Sequence, residues 1–166
     1  MSSFVAPGPR VSNRLRLLPR CLALLALLTS AAVASAADDI PDPCKLATAA
    51  EVQAVLGSPV TATGMRPPAR HGDTPARICS FQGQNGKSMN IYIGPRTKAQ
   101  FSREGAGMEA VAGVGEAAYT VPPGILSFLK GPMSVAVQAI NFDPSDATPA
   151  FKAKLKTLAV AVANRL

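Results

Sequence analysis

Apolar and polar residues alternate along two stretches of the chain and recur at helical spacing along two others, and these four stretches frame the fold. Met89, Ile91 and Ile93 alternate with Asn90 and Tyr92, as in a strand with one buried face. A partner strand over 78–82 precedes it across Gln84-Asn85-Gly86-Lys87, where Asn-Gly supplies the positive φ angles of a tight hairpin turn. Met133, Val135, Val137 and Ala139 form the second alternation. Strands are expected before it at 117–121 and 125–130, with Pro122-Pro123-Gly124 and Gly131-Pro132 as turns. Phe151, Leu155, Leu158, Val162 and Leu166 recur at helical spacing behind Thr148, a capping residue, and Pro149, which suits a first helical turn. Thr48-Ala49-Ala50-Glu51 is a capping box that opens a helix over 49–56, with Val52, Val55 and Leu56 facing inward and Gly57 and Pro59 ending it. A short amphipathic helix is expected over 97–104 and a strand over 60–65. Residues 66–77 and 105–115 read as loops, the former mobile.

Helices at both ends and hairpin-linked strands between them predict an α+β fold: a largely antiparallel sheet of five or six strands packed by an N-terminal and a C-terminal helix. Residues 44–166 form this single domain. Residues 37–43, rich in proline and acid, read as an exposed leader.

The first 36 residues change the charge picture. Arg10, Arg14, Arg16 and Arg20 precede an apolar run that ends in Ala34-Ser35-Ala36, the pattern of a cleavable secretory signal peptide. Its removal lowers the net charge from +7 to +3, which undercuts any argument for a nucleic-acid partner from basicity. Cys21 opens the apolar run instead of following it, so lipid attachment is not expected, and cleavage leaves no stable membrane anchor. The mature chain is expected to be periplasmic or secreted. Cys44 and Cys79 remain, and in an oxidising compartment two cysteines have a single connectivity; their spacing of 35 is unlike that of a redox dithiol.

Three clusters bear candidate chemistry. Arg66, Arg70, His71 and Arg77 could hold an anion, since guanidinium forks match carboxylates and phosphates. Tyr119, Pro122, Pro123, Ile125 and Leu126 could present an apolar contact at the 119–128 hairpin. His71 beside Asp73 could act as an oriented general base, but nothing in the chain selects a nucleophile. One histidine and a bonded cysteine pair cannot supply the three or four ligands of a zinc site, so no metal or other cofactor is expected. Gly113-Val114-Gly115-Glu116-Ala117-Ala118 matches a dinucleotide fingerprint in letters, yet it precedes an expected strand where the fingerprint needs a helix.

Asp42-Pro43-Cys44-Lys45-Leu46-Ala47-Thr48-Ala49-Ala50-Glu51-Val52, then Cys79-Ser80-Phe81 entering a hairpin, then Gly113-Val114-Gly115-Glu116-Ala117-Ala118-Tyr119 together resemble a family of small secreted bacterial envelope proteins. That family, common among actinobacterial lipoproteins, is of unknown function. The resemblance implies a Cys44–Cys79 disulfide and an envelope location, and transfers no catalytic residue. The expectation is therefore a non-catalytic binding module whose partner is a protein or another envelope component. The alternatives are a small periplasmic hydrolase using His71 and Asp73, and a structural or inhibitory protein acting through the 119–128 hairpin.

Overall fold

Local sequence chemistry makes each turn of the fold. The computed structural model describes residues 40–71 and 74–166, and of residues 67–71 and 74 the backbone only. Gly86 takes φ 76° in the turn joining β2 (Thr74–Gly83) to β3 (Ser88–Pro95). Thr48 and Glu51 close the capping box of α1 (Ala49–Leu56), which Gly57 ends in the left-handed region at φ 70°. A second box, Thr97 with Gln100, starts α2 (Lys98–Glu104). Thr148 caps α3 (Pro149–Asn164), accepting from the Phe151 N–H.

Seven strands form one antiparallel sheet. With β1 (Val60–His71), β4 (Glu109–Ala110), β5 (Ala117–Val121), β6 (Ile125–Lys130) and β7 (Met133–Ile140), its order is β1-β2-β3-β7-β6-β5-β4. Two meanders thus meet at the β3–β7 pair, and the segment containing α2 carries the chain from β3 to the far edge. One face packs against α1 and α3 in a single apolar core that includes Val52, Phe81, Ile91, Phe128, Val137 and Leu158. The disulfide between Cys44 and Cys79 joins the turn before α1 to the middle of β2, with the two Cα atoms 5.1 Å apart.

The sheet exceeds the expected five or six strands because Glu109–Ala110 pairs with Thr120 and Tyr119. Two residues are too few to carry an alternation. The supposed loop 66–77 is the end of a long hairpin, with Ala69 opposite Ala76 and His71 opposite Thr74. Pro67 and Pro68 fall within the register shift between Arg66 and Ala69 on an edge strand, where a missing N–H breaks no central ladder.

The leader also departs from expectation. Ile40 is only 3% exposed and belongs to the core, and its carbonyl accepts from Arg77 Nη1 at 2.6 Å. Asp42 then accepts from the Cys44 N–H and caps a short 3-10 turn at Pro43–Lys45. At the other end Leu166 lies past the end of α3 and is exposed, so it takes no part in the helix's apolar stripe.

Among the described residues no helix is long and apolar enough to cross a membrane. The proposed signal peptide and its cleavage site lie outside the described residues.

Candidate functional site

The strand period of two sends alternate side chains to the second face of the sheet, which α1 and α3 do not cover. A single row of paired residues crosses that face from edge to edge: Arg66, Ile78, Tyr92, Ala136, Ser127, Tyr119 and Ala110, each opposite the next. Two large rings therefore stand on either side of two small residues. Ser134 and Gly94 continue the low ground beside Ala136 and Tyr92, giving a trough floored by Ser134 and Ala136 of β7 and Ser127 of β6, with Tyr92 and Tyr119 as its walls.

Each wall is held by its own neighbours, Tyr92 through hydrogen bonds and Tyr119 through ring packing. Ser80 Oγ donates to Asn90 Oδ1 at 2.7 Å, and Asn90 Nδ2 donates to the Tyr92 hydroxyl at 3.1 Å. Asn90, although it alternates away from the apolar core, is only 5% exposed. Tyr119 stands opposite Ser127 across the β5–β6 pair and packs against Phe101 of α2 with ring centroids 4.9 Å apart. Gly105 is required here, because a Cβ would lie 2.5 Å from the Tyr119 ring. Burial pushes the Tyr119 phenol above its ordinary value and Glu104 adds to that shift, while the neighbouring Ser127 hydroxyl and Arg96 oppose it.

Arg96 closes one end of the trough. Its side chain is only 7% exposed, and Nε donates to Glu104 Oε1 at 3.0 Å while Nη1 donates to the Pro95 carbonyl. A buried guanidinium of this kind needs its partners, since removing one leaves an uncompensated charge. The enclosed part of the trough is a cavity of about 30 Å³ lined by Tyr92, Gly94, Arg96, Tyr119, Ser127 and Ser134, among others. That is room for about two waters, far below the several hundred Å³ of a small-molecule pocket.

The sequence-derived clusters divide on the structure. Of the anion-binding set, Arg66 is exposed on the trough side of β1, whereas Arg77 points to the opposite face and holds Ile40. The side chains of Arg70 and His71, and all of Asp73, lie outside the described residues, so the His71–Asp73 pair has no described geometry. The hairpin set splits by strand alternation. Leu126, 1% exposed, is a core residue, and so cannot offer the apolar contact expected of it. Pro122 and Pro123 are exposed at the turn, Ile125 is half-buried, and Tyr119 serves as a wall of the trough. Gly124 tucks that turn toward Ala139 and the Phe151 ring.

Tyr92, Arg96, Glu104, Ser127, Ser134 and Ala136 were not foreseen as site residues. The sequence signal was weak: Ser134 and Ala136 at outward positions of β7, whose inward positions are apolar, and a single small outward residue, Ser127, between Ile125 and Leu129 in β6. Among the described residues no group of three or more His, Cys, Asp or Glu could hold a metal ion. Gly113 and Gly115 both take positive φ in the turns leading into β5, a turn role for the glycine motif. The chain matches no protein-family model, no curated protein and no solved structure.

Proposed function

We propose that the chain is an exported, non-catalytic binding module of the cell envelope and that it takes its partner in the trough between Tyr92 and Tyr119. The observation that carries this reading is the asymmetry of the sheet: the same strands bury a sealed apolar core on one side and a shallow, partly polar hollow with fixed aromatic walls on the other. Tyrosines locked by buried partners offer large contact area at little entropic cost, which favours binding. A hollow too small to enclose a substrate suits recognition of a larger partner's surface better than turnover of a small molecule. Export accords with the Cys44–Cys79 disulfide and with the signal-peptide pattern of the first 36 residues, and the resemblance to secreted envelope proteins points the same way.

Native mass spectrometry of the untagged protein from its producing cells tests the reading. The expected result is an oxidised chain beginning at Ala37 with a specific additional mass, lost in Ala136→Phe, which fills the trough floor. Turnover of envelope-derived substrates that disappears in His71→Ala would instead support the hydrolase alternative and overturn the proposal.

A further inference from the structure

Taking the trough as a binding surface, we infer that its occupant is an extended, acidic segment of another protein. The first argument is shape. Three strand spacings of about 4.8 Å separate the backbones of β3 and β5, so the walls rise roughly 14 Å apart before the rings narrow the gap. One extended chain lying over β7, where Ser134 and Ala136 are half-exposed while Ser127 and Leu129 of β6 are buried, fits between them, with a small side chain entering the 30 Å³ cavity. A helix with its side chains, about 10–12 Å across, would ride on the rings and leave the floor empty.

The second argument is charge. The carboxylates of the described domain are already engaged. Glu51 pairs with Arg165, Glu104 with Arg96, Glu109 with Lys152 and Asp146 with Lys87. Asp42 and Asp143 cap 3-10 turns, and Glu116 accepts from the Gly131 N–H. Glu104 is the one carboxylate lining the trough among the described residues, and its charge is offset by buried Arg96. Outside each wall stands an exposed arginine: Arg66, two strands beyond Tyr92 in the same row, and Arg103 on α2, the helix that packs against Tyr119. Basic groups flanking an approximately neutral trough complement a chain that carries carboxylates beside its buried contact.

The protein carries its own probe, since it has no tryptophan and two tyrosines, both walls of this trough. Tyrosine emission is followed while a capped peptide of alternating Glu and Ala is added, about ten residues long so that at roughly 3.4 Å per residue it exceeds the length of the trough strands. Saturable change is expected, weakening several-fold as ionic strength rises toward physiological values. The Lys-Ala peptide should leave emission unchanged, and Arg66→Glu with Arg103→Glu should weaken the acidic peptide by about tenfold. No response, an equal response to the Lys-Ala peptide, or an undiminished response in Ala136→Phe would each overturn the inference. Saturation by oligogalacturonate, but not by the peptide, would overturn it in favour of a polysaccharide occupant. If the peptide fails while the native mass spectrum keeps a bound mass that Ala136→Phe removes, the occupant is wrong and the binding reading stands; if that mass is absent too, both fall.

Discussion

The two faces of the sheet are built from the same strands and obey opposite rules. Ile91, Phe128 and Val137 point into the core and are sealed by α1 and α3, whereas Asn90, Ser127 and Ala136, each next to one of them in sequence, point into or beside the trough. On the first face the side chains are large, apolar and nearly inaccessible. On the second the middle of the row is small or polar, Ile78 and Leu129 are buried to either side of it, and the two rings are fixed by neighbours, Tyr92 by Asn90 and Tyr119 by Phe101. The contrast separates two tasks: the first face supplies most of the stability, and the second is free to be shaped for recognition.

Substitutions on neighbouring residues should break the comparison most sharply if it is wrong. Phe128→Ala should lower the unfolding free energy by about 3–5 kcal/mol in urea titration, because it empties a fully buried ring site. Ser127→Ala, one residue away, should cost no more than about 1 kcal/mol, since it removes a single hydroxyl and leaves the packing in place. Near-equal losses would show that the second face is also core.

Next in size is the disulfide, which fastens the N-terminal turn to the core-facing side of β2. Its reduction should cost about 3–4 kcal/mol, measured as a shift in the denaturant midpoint, for a closed loop of this length. That loss should leave the tyrosine environment of the refolded, reduced chain unchanged, because the trough draws on β3 and β5–β7 and not on Cys44.

A smaller effect tests the helix side alone. Glu51 serves the cap of α1 and also meets Arg165 at the end of α3, with Nη2–Oε1 at 2.7 Å and Nη1–Oε2 at 2.9 Å. The Arg165 hydrogen bonds, opposed by partial burial and aided by those from Thr48, hold the carboxyl down at about 2 from its ordinary 4.5. Because the folded-state value is the lower one, the stabilisation is fully present above pH 4.5 and is lost as pH falls from there through about 2. Glu51→Gln should cost about 1 kcal/mol near neutral pH, a modest figure because the pair is partly solvated, and should flatten the acid limb of the stability curve over that window. An acid limb identical to that of the parent protein would show that the Glu51–Arg165 pair adds no stability.

The smallest expected change in stability is for Ala136→Phe, within about 1 kcal/mol, since the position is half-exposed on a pleated surface. It should nonetheless abolish partner retention. A large stability loss there would mean that the trough is packed interior.

Much of this architecture was legible where local chemistry decides it. Asn85-Gly86, the Thr48–Glu51 box, the Thr148 cap and the α3 stripe each act over a few residues. What escaped was set by distant partners or by place in the sheet. Pro67 and Pro68 look like loop residues and are tolerated in β1 because it is an edge strand. Ile40 looked exposed because the Arg77 side chain that anchors its carbonyl lies 37 positions away. Leu126 was assigned to a contact surface by its proximity to Pro122-Pro123, while strand parity turned it into the core. The trough needed the order β3-β7-β6-β5, which brings Tyr92 and Tyr119 to either side of Ala136 and Ser127, and no local pattern carries that order.

The most direct test of the central claim is a site-specific photocrosslinking comparison in producing cells, with benzoylphenylalanine placed either at Gln138, beside the trough on β7, or at Lys154, exposed on α3. The account predicts a discrete crosslinked product from position 138 that Tyr92→Ala with Tyr119→Ala removes, and none from position 154. A product from position 154 alone, or one from 138 that survives loss of both tyrosines, would contradict it.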